Sequence, residues 1–242
     1  MNRRELLSVL GAALASGAAK RLDAIAPADR LTTIGLQLYT VRSVLARDFD
    51  GTLTRIAAMG YREVEFAGYF NRSPVDVRAA LRAAGLIAPG AHISIQTLRQ
   101  SWPETLEAAA AIGHNFLIVP SLPAEDRRTL DALKAVADLF NRAGATAREA
   151  GIRFGYHNHD AEFLALEGKV PFHVLLEETD PALVDFEMDL FWITKGRGDP
   201  LAYFERFPGR FAMVHVKDMD AEGRMVDVGQ GAIDFKRIFA AR

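Results

Sequence analysis

Strand-like and helix-like stretches take turns along this chain. Strand-like runs lie at residues 34–40, 62–67, 86–93, 116–120, 152–157, 183–188 and 211–216. Several are apolar through most of their length, without in-and-out alternation, which marks a strand buried on both faces. Between them, helical periodicity predicts helices over 50–59, 74–84, 103–112, 126–150, 170–178 and 200–207, and another from 234 to 240. The punctuation agrees. Ser73 and Asp199 stand at cap positions and Pro171 falls in a first turn. Gly60, Gly85, Gly113 and Gly151 follow the last periodic residue of their helices.

Seven strand–helix alternations without hairpin signals predict an α/β chain with a parallel sheet. An open doubly wound sheet would carry a glycine fingerprint after an early strand. The turns after the first two strands have no G-x-G-x-x-G, and Asp227-Val228-Gly229-Gln230-Gly231 reads as a tight turn rather than a phosphate cradle. The pattern therefore favours a (β/α)8 barrel of TIM type. Closure takes eight strands. Only seven are counted, so the expectation is an incomplete barrel whose eighth strand is missing at the C-terminus. An unclosed barrel exposes two strand edges, which invites pairing into a homo-oligomer.

The 242 residues suffice for one large domain with a sizeable core. Lys and Arg number 29 against 31 Asp and Glu, which argues against a nucleic-acid partner. The absence of cysteine excludes a disulfide scaffold, a thiolate nucleophile and a cysteine zinc site. The N-terminus stands apart. Met1-Asn2-Arg3-Arg4-Glu5-Leu6-Leu7 leads into an apolar stretch over 6–19, with Ala18-Ala19 as the best cleavage point. It resembles a twin-arginine export signal and is too short for an ordinary membrane span, so no stable membrane anchor is expected. The predicted division is signal and linker over 1–30 and barrel domain over 31–242. Export places the protein in the periplasm or cell envelope. The alternative, a frayed amphipathic helix, leaves it cytoplasmic.

Candidate chemistry gathers at strand ends. The fifth strand ends in Tyr156-His157-Asn158-His159, the sixth in Asp185-Phe186-Glu187-Met188-Asp189, and the seventh in His215-Val216-Lys217-Asp218. Same-parity residues share a strand face, and charge on a doubly buried strand is costly unless paired or metal-bound. His157 and Asp189 are 32 positions apart, and Asp189 and His215 are 26 apart. Each interval is about one strand–helix repeat, so the three can sit at one height on neighbouring strands. His157, Asp189 and His215 are the candidate ligands for a divalent cation. Glu187 lies deeper and is expected to orient an imidazole, with Asp185 further still from the rim. His114 and His173 are read as ordinary hydrogen-bonded histidines.

These segments, with Ile34-Gly35-Leu36-Gln37-Leu38-Tyr39-Thr40-Val41-Arg42 and Asp189-Leu190-Phe191-Trp192, resemble the sugar phosphate isomerase/epimerase proteins with the xylose-isomerase-like barrel. The resemblance runs from about Ile34 onward. It implies a (β/α)8 barrel and a divalent metal such as Mn, Mg, Zn or Co, held by Glu, Asp, His and Glu from strands five to eight. Asp189 and His215 match the second and third ligands. His157 (or its neighbour His159) stands where many members have Glu, and the fourth ligand has no counterpart. Glu65 resembles a family Glu near the substrate. His92, Gln37, Tyr39 and Trp192 are candidates for the substrate pocket, with Phe66 and Trp102 weaker ones.

The resemblance implies a metal-dependent isomerase or epimerase acting through an enediolate on a sugar or polyol ketone, with His159 and Glu65 or Lys217 moving the proton. The same site can lead to a lyase or dehydratase on a keto-sugar or keto-inositol. A third reading is a non-catalytic barrel that binds a sugar or metal.

Overall fold

The computed structural model describes residues 34–240. The expected export signal and linker over 1–30 lies outside the described residues. Seven parallel strands form one sheet in chain order. They are β1 (Gly35–Gln37), β2 (Glu63–Phe66), β3 (Ile87–His92), β4 (Phe116–Val119), β5 (Arg153–His157), β6 (Val184–Asp189) and β7 (Phe211–His215). A two-residue hairpin, β8 (Asp218–Met219) and β9 (Met225–Val226), follows β7. The helices are α1 (Arg42–Leu45), α2 (Phe49–Ala58), α3 (Pro74–Ala84), α4 (Ile95–Gln100), α5 (Trp102–Ile112) and α6 (Leu130–Glu149). After them come α7 (Pro171–Glu178), α8 (Leu190–Lys195), α9 (Pro200–Arg206) and α10 (Phe235–Ala240).

The sheet curls far enough for distant strands to touch across its concave side. His215 on β7 reaches Glu65 on β2, and His92 on β3 reaches Glu187 on β6, both at 2.8 Å. Among the described residues β1 and β7 remain the two edges, so the architecture is a half-barrel of TIM type with the ring incomplete. On the convex side, outward residues meet the helices in an aromatic layer. Phe140 of α6 packs on Phe154 at 5.2 Å between ring centres, and Phe172 of α7 packs on Phe186 at 5.4 Å. All four rings are fully buried, each worth about 1.5–3 kcal/mol in transfer free energy.

Local chemistry moves several boundaries from their expected places. β1 ends at Gln37 rather than residue 40, because the Gln37 side chain accepts the Tyr39 N–H at 2.9 Å and turns the chain into a 3-10 helix (Leu38–Val41). α6 starts at Leu130 rather than 126, because Thr129 accepts the Ala132 N–H as its cap. The 218–219/225–226 hairpin and the helices α1, α4 and α8 were not expected; elements of two to six residues are too short to show a period. The 227–231 stretch is a tight turn, with Gly229 at φ 91° and Gln230 N–H donating to Asp227 O.

Candidate functional site: imidazoles and carboxylates at the strand ends

The sheet register sets the heights of the site residues. His157 lies beside Glu187, Asp189 beside His215, and Gln37 beside Glu65. Gly90 lies beside Glu65, and its missing side chain leaves room: a Cβ there would stand 3.2 Å from Glu65 Oε1. Glu65 therefore fits inside the curl. Its Oε2 accepts from Gln37 Nε2 at 2.7 Å and from His215 Nε2 at 2.8 Å.

Glu187 is the hub of the deeper part. Its Oε2 accepts from His92 Nε2 at 2.8 Å and His157 Nδ1 at 3.1 Å, and lies 3.2 Å from His215 Nε2. His92, His157, Glu187 and His215 each offer a ligand atom within 4.8 Å of the others, a group that could hold a metal ion. A carboxylate only accepts, so the facing ring nitrogens carry the protons. That fixes Nδ1–H on His157 and Nε2–H on His215. The opposite nitrogens, His157 Nε2 and His215 Nδ1, turn toward Asp189 Oδ2, at 3.6 and 3.8 Å. His215 Nδ1 is buried without a hydrogen-bond partner.

Asp189 is fully buried at the junction of β6 and α8. Its Oδ1 caps α8 by accepting the Trp192 N–H at 3.0 Å, and its Oδ2 accepts from Lys217 Nζ at 2.5 Å. Asn158 pins the Asp189 backbone, its Oδ1 accepting the Asp189 N–H and its Nδ2 donating to Asp189 O. Lys217 is part-exposed, 30% at the side chain. Its chain position is anchored by the next residue. Buried Asp218 accepts backbone N–H groups from Met219, Gly229, Gly231 and Ile233 at 2.8–3.2 Å.

His159 lies beyond the end of β5, its ring 5.2 Å from His157 and 5.0 Å from Trp192. Its Nδ1 is buried without a partner. Glu162 holds this corner, accepting the His159 backbone N–H at 2.9 Å and the Tyr156 hydroxyl at 2.5 Å. Tyr39 is 57% exposed with Arg42 stacked on its ring, away from the hydrogen-bonded cluster. Phe66 and Trp102 belong to the packed core. His114 is buried, bonded to Tyr69 and to Ala88 O, and His173 packs beside Tyr203 and Phe207.

Sequence reasoning passed over Asn158 and Glu162 and put His92 among substrate contacts, whereas its imidazole stands inside the Glu187 group. Asn158 had a legible signal, a polar residue between two histidines at the end of an apolar strand. Glu162 had none, because its partners are set by the turn after β5. A separate surface cavity of about 340 Å3, lined by Phe163, His173, Tyr203 and Arg206 among others, holds none of the clustered imidazoles.

Burial, reinforced by the nearby His215 and His92, holds the His157 pKa well below the ordinary value and keeps the ring neutral. Burial also lowers His159. Burial alone would lower His215, but its bond to Glu65 and the charges of Glu187, Glu65 and Asp189 more than offset this and raise it. Glu187 is pushed up by burial and brought below the usual carboxyl value by its imidazole partners. Two ligand atoms on one tetrahedral cation at about 2.1 Å stand about 3.4 Å apart. The spacings around Asp189 Oδ2 are close to that, and the unpartnered His215 nitrogen lacks what such a cation would supply, so the residues fit a divalent metal.

Parallel strands that carry imidazoles and carboxylates to one end of a curled sheet define a metal-capable site of the α/β-barrel kind. The chain belongs to the xylose isomerase-like TIM barrel family, which matches residues 53–241. A solved sugar phosphate isomerase/epimerase from Parabacteroides distasonis is 30% identical with a TM-score of 0.76, covering 86% of this chain and 85% of that one. Inosose dehydratase from Geobacillus kaustophilus is 26% identical over 235 residues, 79% of this chain and 74% of the relative. The crystal structure of IOLI protein with a bound zinc atom shares the fold, at 13% identity and a TM-score of 0.68 over 86% of this chain and 84% of that one. The family is one of sugar-processing enzymes.

Proposed function

We propose that this chain is a metal-assisted dehydratase that removes the proton beside the ketone of a keto-sugar or keto-inositol and expels a hydroxyl as water. The observation that carries the reading is the buried, unpartnered Nδ1 of His215, 3.8 Å from an Asp189 oxygen that also lies 3.6 Å from His157 Nε2. His157, Asp189 and His215 are the proposed ligands of a divalent cation. Bound there, the cation would supply positive charge where the ketone oxygen gains negative charge. Glu187 and Glu65 hold the two ligand imidazoles in the tautomers that face Asp189. His159, half-buried and kept neutral, has the form a general base needs. The Lys217 ammonium can give a proton to the departing hydroxyl. Trp192, beside His159, offers an apolar face to the ring carbons, and Gln37 is the remaining candidate for a hydroxyl contact.

Elimination is supported by the likeness to inosose dehydratases across about four-fifths of the chain. Epimerisation through the same proton abstraction is the second reading, supported by the 30% identity to a sugar phosphate isomerase/epimerase. One experiment separates them. The manganese-loaded protein is incubated with inosose in deuterated water and followed by proton NMR. Loss of water gives new unsaturated-ketone or diketone signals and supports the proposal. Deuterium beside the ketone with the carbon skeleton's hydroxyls all retained favours the epimerase. Neither product nor exchange, with inosose or with keto-hexoses, sinks the enzymatic reading and leaves a binding barrel.

A further inference from the structure

We infer that Lys217 is a built-in competitor of the divalent cation: its ammonium and the metal take turns as the positive partner of Asp189. The inference rests on the ligand set proposed above. Asp189 has no contact with solvent, and a buried carboxylate needs a counter-charge close by. The Lys217 Nζ supplies one at 2.5 Å from Oδ2, the same oxygen that faces His157 Nε2 and His215 Nδ1. Oδ1 is already committed to the Trp192 N–H. A cation bound to Oδ2 therefore meets a second positive charge on the same oxygen, and the repulsion between the two weakens both contacts.

The lysine is built to leave. Its side chain is 30% exposed, while Asp189 is sealed, so the ammonium has a path to water that the carboxylate lacks. Four flexible carbons let the charge swing out without backbone movement. The backbone itself is held, because Asp218 gathers four N–H groups immediately after Lys217. The exchange is thus confined to one side chain. It keeps the pocket charge-balanced before metal loading, and it frees the ammonium to face the substrate once the metal is bound.

The test uses Lys217→Met and Lys217→Gln, both neutral, with Gln keeping a hydrogen-bond donor for Asp189 in case the Met protein does not fold. Full chains are stripped with chelator, then titrated with Mn2+ by calorimetry and melted with and without it. Competition requires the neutral variants to bind Mn2+ at least tenfold more tightly than the wild type. Their metal-free forms should melt at lower temperature, and Mn2+ should raise their melting point by more than it raises the wild type's. A wild type that binds Mn2+ while both variants bind it equally or more weakly overturns the competition and leaves the ligand set standing. A wild type that takes up no Mn2+ or Zn2+ overturns the ligand set and the competition together.

Discussion

Two carboxylates two residues apart on β6 are assigned different jobs, and substituting each in turn tests the assignment. Glu187 lies beneath the imidazoles and accepts from them; Asp189 lies above and faces their free nitrogens. Glu187→Gln keeps the shape and one acceptor oxygen but removes the charge. Hydrogen bonds to an ionised acceptor contribute about 1.5–3 kcal/mol against about 1 for a neutral one, so each of the bonds from His92 (2.8 Å) and His157 (3.1 Å) weakens by roughly 1 kcal/mol. The imidazoles then hold the required tautomer less firmly. Loss of such a supporting carboxylate lowers metal affinity about 10- to 100-fold, which is about 1.4–2.7 kcal/mol. Asp189→Asn removes the charge of the proposed ligand oxygen outright and should abolish stoichiometric uptake. The assay is metal analysis after equilibrium dialysis against graded Mn2+, with circular dichroism confirming that each variant is folded. The opposite ranking would refute the reasoning. If Glu187→Gln loses all metal while Asp189→Asn keeps it, the ion belongs in the deeper His92, His157, Glu187 and His215 group.

Further predictions concern the frame around the site. Asp218→Ala strands four backbone N–H groups and should destabilise by about 2 kcal/mol or more, read as a lower urea midpoint. Burial raises the Asp218 pKa, but those four N–H groups more than offset it and place it below the ordinary carboxyl value. Its contribution is therefore complete above the unfolded-state value of about 3.9 and is lost as pH falls through the lower folded value. The gap in urea midpoint between wild type and Asp218→Ala should be constant from pH 7 to 5 and shrink only below about pH 4; a gap that narrows between pH 7 and 5 contradicts the assignment. Gly144→Ala on α6 would place a Cβ 2.2 Å from the Leu183 carbonyl oxygen. It should cost about 1–3 kcal/mol in chemical denaturation despite the better helix propensity of alanine, and a stabilised variant would contradict the close approach.

Much of the fold was legible because doubly buried strands and glycine-closed helices leave strong periodic marks, and the seven strands lie where those marks put them. The site was legible only in part. Intervals of 26 and 32 residues locate strand ends to within a turn, but they do not set register. The observed register places His157 beside Glu187 and Asp189 beside His215, so Asp189 stands two residues above His157 and only the far nitrogen of that ring faces it. The contacts of His92 with Glu187 and of Glu65 with His215 cross the hollow of the sheet. They depend on its curl, which no local pattern encodes. The unpartnered nitrogen of His215 depends on ring tautomer and rotamer and has no signature in sequence at all.

What sequence does carry is the parity of β6, and that parity explains why the site exists. Asp185, Glu187 and Asp189 share one face and rise from base to rim with three different partners. Asp189 meets Lys217 and the free imidazole nitrogens, Glu187 meets the protonated ones, and Asp185 takes the Arg153 guanidinium at the far end. Phe186 and Met188 share the other face, both fully buried, with Phe186 against Phe172. A one-residue slip of β6 would drive three carboxylates into that aromatic layer and turn Phe186 and Met188 toward the histidines. Neither environment could satisfy the groups it received, since unpaired carboxylates in an apolar layer are far costlier than any packing they could gain. The same alternation that buries the core therefore fixes the depth of each carboxylate, and depth alone separates the residue that balances charge from the one that orients the rings and the one proposed to bind the ion.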